Sequence, residues 1–295
     1  MLGTLLKGRY RVVRKIGGGG EGEIFLARDL ELRRDVVIKF QNPRGFESTM
    51  TFIDRGKSIE QEYCLLEIMK SLPGIPKVFD KGELGRNSSK YLVMERVRGI
   101  TVAEWISEHH PVPIKAAVSA IAQICEILGG LHAEDYIHRD VTPNNTMIQM
   151  DGRIRLLDVG ISVRTGELNT NYGGSPRYAA PEQFDPEAVL TPHLDVFAVG
   201  MLFFEMVASD LPYSGEERPL ETATAPFPKD FAIEMPDCVR SFALAMVAIA
   251  PHERPNVFEV SDYLRHMLPV PNSPASPKAT RPDPTAPYRL RLSLP

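Results

Sequence analysis

An α+β fold, with a small β-rich part ahead of a larger helical part, is what this sequence predicts. Three observations carry that expectation. The first third holds short β-type runs around a single helical stretch. From Thr101 onward apolar residues recur at spacings of three and four over long segments. Two short strand-like pieces around Asp151-Gly152 are all that interrupts the helical pattern.

The elements follow in order. Residues 9–15 read as a strand leading into a glycine run at 17–22, and residues 23–27 resume the strand, which makes a hairpin with a glycine-rich turn. Residues 35–40 and 90–96 read as two further strands, with a helix between them at roughly 58–72. Leu65, Leu66, Ile68 and Met69 form its apolar face. Val118, Ile121, Ile124, Leu128 and Leu131 then mark a well-buried helix that ends near Ala133. Residues 146–149 and 154–157 form a hairpin across Asp151-Gly152, and helices are expected near 194–208, 237–250 and 257–267. Residues 269–295 are rich in proline and small polar residues, and such a tail is expected to be disordered. Its end, from Tyr288 to Leu294, alternates apolar and polar residues, so a strand docking on a sheet edge or on a partner is the alternative.

A chain of 295 residues at 43% hydrophobic has room for one large or two modest domains. Its net charge of −4 argues against a general nucleic-acid or membrane-surface binder. Cys64, Cys125 and Cys238 are scattered, with neither metal-ligand nor disulfide spacing, as suits a reducing compartment. No segment reaches the ~18 uninterrupted apolar residues of a membrane span. The nearest, residues 196–208 and 242–250, read as core helices. The first seven residues lack the pattern of a signal peptide, so the cytoplasm is the expected address.

Chemistry concentrates in His138-Arg139-Asp140-Val141-Thr142-Pro143-Asn144-Asn145 and in Leu157-Asp158-Val159-Gly160. One acid beside a hydroxyl nucleophile, with an amide and a second acid to hold magnesium, is the apparatus that phosphoryl transfer requires. Upstream, Gly17, Gly19 and Gly22 lie within Ile16–Ile24 at the spacing of a phosphate-covering loop, where glycine lets backbone N–H groups approach phosphates. Neither a P-loop nor a dinucleotide fingerprint fits, because no Gly-Lys-Ser/Thr follows and a strand comes next. Val36-Val37-Ile38-Lys39 ends an apolar strand in a lysine that needs phosphate oxygens and a carboxylate as partners. Among Glu60, Glu62 and Glu67, helical geometry favours Glu62, which shares the face of Leu65, Leu66 and Met69. Glu60 lies over Cys64 and Glu67, and Glu67 lies over Lys70 and Ser71, both more polar stripes.

With these residues in view, the chain resembles the eukaryotic-like protein kinase superfamily, and within it the bacterial serine/threonine protein kinases. The likeness covers about residues 8–268. Gly174-Ser175-Pro176-Arg177-Tyr178-Ala179-Ala180-Pro181-Glu182 resembles the substrate-docking segment and the end of an activation loop. Leu194-Asp195-Val196-Phe197 resembles the start of the central helix, and His252-Glu253-Arg254-Pro255 the late arginine motif. Leu92-Val93-Met94-Glu95-Arg96-Val97 resembles the hinge.

The resemblance implies a bilobal fold: an extension at 1–7, a small lobe at 8–95, a large lobe at 96–268 with hinge near 95–100 and activation loop at 158–182, then the tail. It implies Lys39 on the α- and β-phosphates of ATP, Glu62 holding Lys39, and Asp140 as proton acceptor. Asn145 and Asp158 would bind Mg2+, with Mn2+ an alternative. Ile16, Gly17, Gly19, Gly22, Ile24, Val37, Met94 as gatekeeper, the backbones of Glu95 and Val97, and Met147 would contact the nucleotide. Arg139 would meet a phosphorylated loop residue, with Thr165 and Thr170 preferred over Ser162 and Ser175; Ser175 would support Asp140. A buried Glu182–Arg254 pair is implied as well. The partners implied are ATP, protein substrates and a regulatory partner at the tail, with no nucleic acid and no membrane span.

Three residues depart from the family pattern. Thr142 stands where serine/threonine kinases carry a lysine that neutralises the transferring phosphoryl group, so its absence weakens transition-state electrostatics unless another group substitutes. Val159 replaces a phenylalanine, and Val37 a common alanine. The expected activity is transfer of the γ-phosphate of ATP to serine or threonine. A pseudokinase scaffold is the alternative. A small-molecule phosphotransferase ranks last, since that class lacks the Ala180-Pro181-Glu182 and Arg254-Pro255 elements.

Overall fold

Alternation along residues 34–41 decides how the first sheet is built: Val36, Ile38 and Phe40 turn one way, Val37 and Lys39 the other. The structure is a computed structural model that describes residues 1–19, 22–41, 59–85, 89–170, 173–208, 211–215 and 235–291. The chain divides into two compact units. One comprises Met1–Ser71, Ile75–Val97 and Val159–Ile161; the other comprises Leu72–Gly74, Arg98–Asp158 and Ser162–Pro295.

The first unit contains β1 (Leu5–Leu6), β2 (Tyr10–Gly19), β3 (Gly22–Asp29), β4 (Arg34–Gln41), α1 (Ile59–Ile68), β5 (Val78–Leu84) and β6 (Ser89–Glu95). Its strands form one antiparallel sheet in the order β1-β2-β3-β4-β6-β5. Tyr10, Val12, Phe25, Ala27, Val36, Ile38, Phe40, Tyr91 and Val93 pack as a core on one face. The opposite face aligns Ile24 with Lys39 and Leu92, and Leu26 with Val37 and Met94.

Residues 1–7 are not a loose extension. Leu5 and Leu6 pair with Arg11 and Tyr10, Leu6 is buried in the core, and Lys7 reaches Asp80 at 2.6 Å. The β2–β3 hairpin also carries strand pairing up to Gly19 and Gly22. Gly20 and Glu21, within the phosphate-loop reading, lie outside the described residues. β5 was not anticipated because its Asp80, Lys81 and Glu83 suit an edge strand, which needs little apolar surface.

The second unit adds β7 (Gly99–Thr101), α2 (Val102–His109), α3 (Ile114–Ala133), β8 (Tyr136–Ile137), β9 (Thr146–Gln149), β10 (Ile154–Leu156), β11 (Val163–Arg164), α4 (His193–Val207), α5 (Asp237–Met246), α6 (Val257–Arg265) and α7 (Ala286–Leu290). A capping box starts α2: Thr101 Oγ1 accepts from the Glu104 N–H, and Glu104 accepts from the Thr101 N–H. α3 is the core helix, packed against α4 and α6. By length and composition it is apolar enough to cross a membrane, but 78% of that stretch is buried inside the unit. The segments singled out from the sequence, 196–208 and 242–250, fall instead in and beyond the shorter α4 and α5. β9 and β10 form the expected hairpin, with Gly152 at φ +87° in its turn and β7 alongside β9.

The expected disorder of the tail is corrected. Trp105 Nε1 donates to Pro282 O at 3.2 Å, Thr280 is buried, and Arg289 pairs with Asp283 at 2.7 Å. Prolines lower the entropy a segment loses on ordering, and buried side chains of the unit receive its carbonyls, so composition alone misled. Residues 286–290 are helical rather than a strand, and 292–295 lie outside the described residues.

Candidate active site

In the first unit Lys39 Nζ sits 3.0 Å from Glu62 Oε2, with the two side chains only 8% and 4% exposed. A buried charge pair is costly unless both partners are held, and here β4 holds one and the buried face of α1 the other. The rival glutamates are engaged at the surface, Glu60 by Lys90 at 2.6 Å and Glu67 by Lys70 at 3.5 Å. The helix therefore presents Glu62.

On the same face as Lys39, Gly17 pairs with Ile24 and Val37 pairs with Met94, which is half-buried. Ile16 is 42% exposed. Gly22 has a packing reason as well as its proposed phosphate one: a Cβ there would lie 2.0 Å from Phe40 O. At Gly17 a Cβ would meet nothing closer than 3.8 Å, so packing does not demand glycine there. The Glu95 N–H donates to Lys77 O at 2.8 Å and its carboxylate accepts from the Lys77 N–H, so the Glu95 N–H is already engaged within the first unit. Val97 follows β6 as the last residue of this stretch and is half-buried.

In the second unit Asp140 accepts the Ser175 N–H at 2.8 Å on one oxygen and Asn145 Nδ2 at 2.6 Å on the other. Burial raises its pKa, and the nearby Asp158 charge pushes the same way against the Ser175 and His138 contributions. Asn145 owes its pose to Thr142, whose buried Oγ1 accepts the Asn145 N–H at 3.1 Å. Thr142 thus serves as the hydrogen-bonding corner of the loop.

Beneath this loop Asp195, fully buried at the start of α4, accepts from the His138 and Arg139 N–H groups at 2.9 and 2.8 Å and from His132 Nε2 at 2.8 Å. Burial by itself would raise the Asp195 pKa; the His132 hydrogen bond and the neighbouring imidazoles and amides outweigh it, and the net direction is down. These bonds pin the left-handed backbone of Arg139, at φ +70°, immediately before Asp140. His138 accepts the Asp140 N–H at Nδ1 and donates from Nε2 to Leu157 O at 3.1 Å.

Asp158, at φ +56°, follows directly, and the Leu157 N–H donates to Asn145 O at 2.7 Å. Asn145 Oδ1 and the Asp158 carboxylate are hard oxygen donors, which suits Mg2+. No group of three or more His, Cys, Asp or Glu side chains able to hold a metal occurs among the described residues. Met147 lies on β9 opposite Thr101 and Arg155, half-buried.

The activation segment departs from expectation. Arg139 donates to Asn169 Oδ1 at 2.9 Å, whereas Thr165 and Thr170 are exposed and Ser162 is buried. Gln183 ties the segment down again, donating to Arg139 O and Gly173 O at 3.0 Å each. Tyr178 OH donates to Glu205 at 2.7 Å. Glu182 and Arg254 make the implied bidentate pair at 2.6 and 3.0 Å, with the arginine side chain fully buried. Sequence reasoning passed over Asn169, Gln183 and the anchoring role of Asp195. The available signal was an acid set among Leu194, Val196 and Phe197, where burial demands partners.

A model of the protein kinase domain matches residues 10–266. The serine/threonine-protein kinase PrkC of Bacillus subtilis is 30% identical over 264 residues, covering 86% of this chain and 39% of the relative. The serine/threonine-protein kinase PknB of Mycolicibacterium smegmatis is 32% identical over 219 residues, covering 72% of this chain and 34% of the relative. The chain therefore spans about two fifths or less of the length of these curated relatives. A match over this span, together with the Lys39–Glu62, Asp140–Asn145 and Glu182–Arg254 pairs, makes the chain a member of the protein kinase family.

Proposed function

We propose that this chain is a protein serine/threonine kinase that transfers the γ-phosphate of ATP to hydroxyl groups of protein substrates. The observation that carries the reading is Asp140, held on both oxygens by Asn145 and Ser175 and raised in pKa by burial, which makes it a stronger proton acceptor than a solvated aspartate. Lys39, kept in place by Glu62, grips the α- and β-phosphates, and the sheet face of Gly17, Ile24, Val37 and Met94 takes the nucleotide. Glycines 19 and 22, Ile16 and the Glu95 and Val97 backbones complete that proposed face. Asn145 and Asp158 hold magnesium or manganese, which when bound neutralises phosphate charge. Residues 174–178 favour serine and threonine over tyrosine as acceptors, and the names of PrkC and PknB agree. Three free, scattered cysteines support a cytoplasmic setting for this domain.

Thr142 favours a second reading, a nucleotide-binding scaffold with little turnover, because no lysine neutralises the phosphoryl group from that position. Incubation with radioactive magnesium-ATP and a generic acceptor separates the two, with Asp140→Asn as control. The kinase reading expects label on the protein or acceptor that the control lacks. Label on neither favours the scaffold.

A further inference from the structure

The segment 269–291 lies beyond the residues matched by the family model, yet it is built into the second unit at a point that bears on the metal ligands. Gln123 of α3 is fully buried and uses its amide on three partners. Its Nε2 donates to Gly152 O at 3.1 Å and to Pro284 O at 3.0 Å, and its Oε1 accepts the Ile154 N–H at 3.0 Å. Gly152 is the turn of the β9–β10 hairpin and lies so close to the tail that a Cβ would come within 2.0 Å of Asp283 O. Core helix, hairpin turn and tail therefore meet at one amide. Trp105 fixes the tail beside this joint through Pro282 O, and the tail is braced internally by Asp283, which takes Arg289 at 2.7 Å and the Thr285 N–H and hydroxyl.

The other end of the same hairpin carries the chemistry. Asn145 adjoins β9, Asp158 stands two residues past β10, and the Leu157 N–H on Asn145 O ties the two ends together. We propose that the tail is a strap that locks this hairpin at its turn, with Gln123 as the joint, and so positions Asn145 and Asp158 for the metal-assisted phosphoryl transfer proposed above, a reading on which the proposal rests. A four-residue strand spans roughly 13 Å at about 3.3 Å per residue, short enough to transmit a fixed turn to its far end. The lock is directional because each partner of a buried amide that is lost leaves an unsatisfied polar group. Neither Gln123 nor the strap touches substrate; both act through the hairpin.

The test uses the full chain and two variants. Asp283→Ala with Arg289→Ala loosens the strap without altering the hairpin, and Gln123→Leu removes the joint. Hydrogen exchange at the amides of Ile154, Leu156 and Leu157 is compared with exchange in α4, and the magnesium dependence of phosphorylation is measured below the unfolding temperature. The proposal expects hairpin exchange to rise about tenfold while α4 is unmoved. The magnesium concentration giving half-maximal rate should rise about threefold to tenfold with the plateau rate kept. Unchanged hairpin exchange, or acceleration spread evenly through α4, overturns it. So does faster hairpin exchange with an unaltered magnesium requirement, which would leave the tail a stabiliser only. If the unaltered chain transfers no phosphate, the kinase reading fails by itself, and the exchange data alone decide whether the strap holds the hairpin.

Discussion

Arg139 Nη2 donates to Asn169 Oδ1 at 2.9 Å, while Asn169 Nδ2 donates to the carbonyls of Glu182, Gln183 and Asp185. A neutral amide thus joins the catalytic loop to the activation segment at the arginine where a phosphate was expected. Replacing both Thr165 and Thr170 by alanine should leave the phosphorylation rate within about twofold, since both are exposed surface residues. Asn169→Ala should lower it by about tenfold or more, the cost of removing an acceptor and several buried bonds at ~1–3 kcal/mol. Initial rates on one acceptor protein check both. A collapse of activity in the double threonine variant with an intact Asn169 would restore the phosphate model.

The Lys39–Glu62 pair separates activity from stability. Lys39→Met should abolish phosphoryl transfer and destabilise the first unit by ~3–5 kcal/mol, because one buried charge loses its counterpart. Lys39→Met combined with Glu62→Leu should recover most of that loss while remaining inactive. Denaturant unfolding measures the first quantity and radiolabel transfer the second. Equal stability of the single and double variants would mean that the pair does not carry its burial cost as described.

Thr142 invites the substitution Thr142→Lys as a restoration of the missing charge, and from sequence alone a gain in turnover was a fair expectation. Its side chain is buried and its hydroxyl holds the Asn145 N–H. The lysine variant should therefore lower the rate by about tenfold through misplacement of Asn145, and Thr142→Ser should retain most of it. A faster lysine variant would show that charge outweighs the loop corner.

The pH profile should carry the mark of Asp140. Burial places its pKa above the ordinary aspartate value of about 3.9, and the base works only when ionised. Activity should accordingly rise with pH through a midpoint higher than a solvated aspartate would give. For stability the sign is opposite: a raised folded pKa favours the fold below about 3.9, and that contribution is lost as pH climbs through the folded value. kcat/KM followed across the acid range reads the limb directly. A midpoint at the ordinary value would place Asp140 in solvent.

Residues whose chemistry is fixed by local spacing were legible in the sequence. Lys39 at the end of an apolar strand, Glu62 on the apolar side of its helix and the Asp151-Gly152 turn all follow from periodicities of two and 3.6. Asn169 and Gln123 were not legible, because their partners lie 30 and 161 residues away and an isolated amide looks like any polar surface residue. The tail escaped for a related reason. Its composition says little about whether a prepared surface exists elsewhere in the chain.

That surface recognises the tail by its main chain. Trp105 and Gln123 meet the carbonyls of Pro282 and Pro284, and Gly152 leaves room for that of Asp283. Every residue type offers a carbonyl, so selection acts on the receptor trio far more than on the segment it receives. Among related chains a strap of this kind should drift beyond sequence recognition while a tryptophan, a glutamine and a turn glycine persist. Those three positions, rather than any proline-rich motif, are where to look for it.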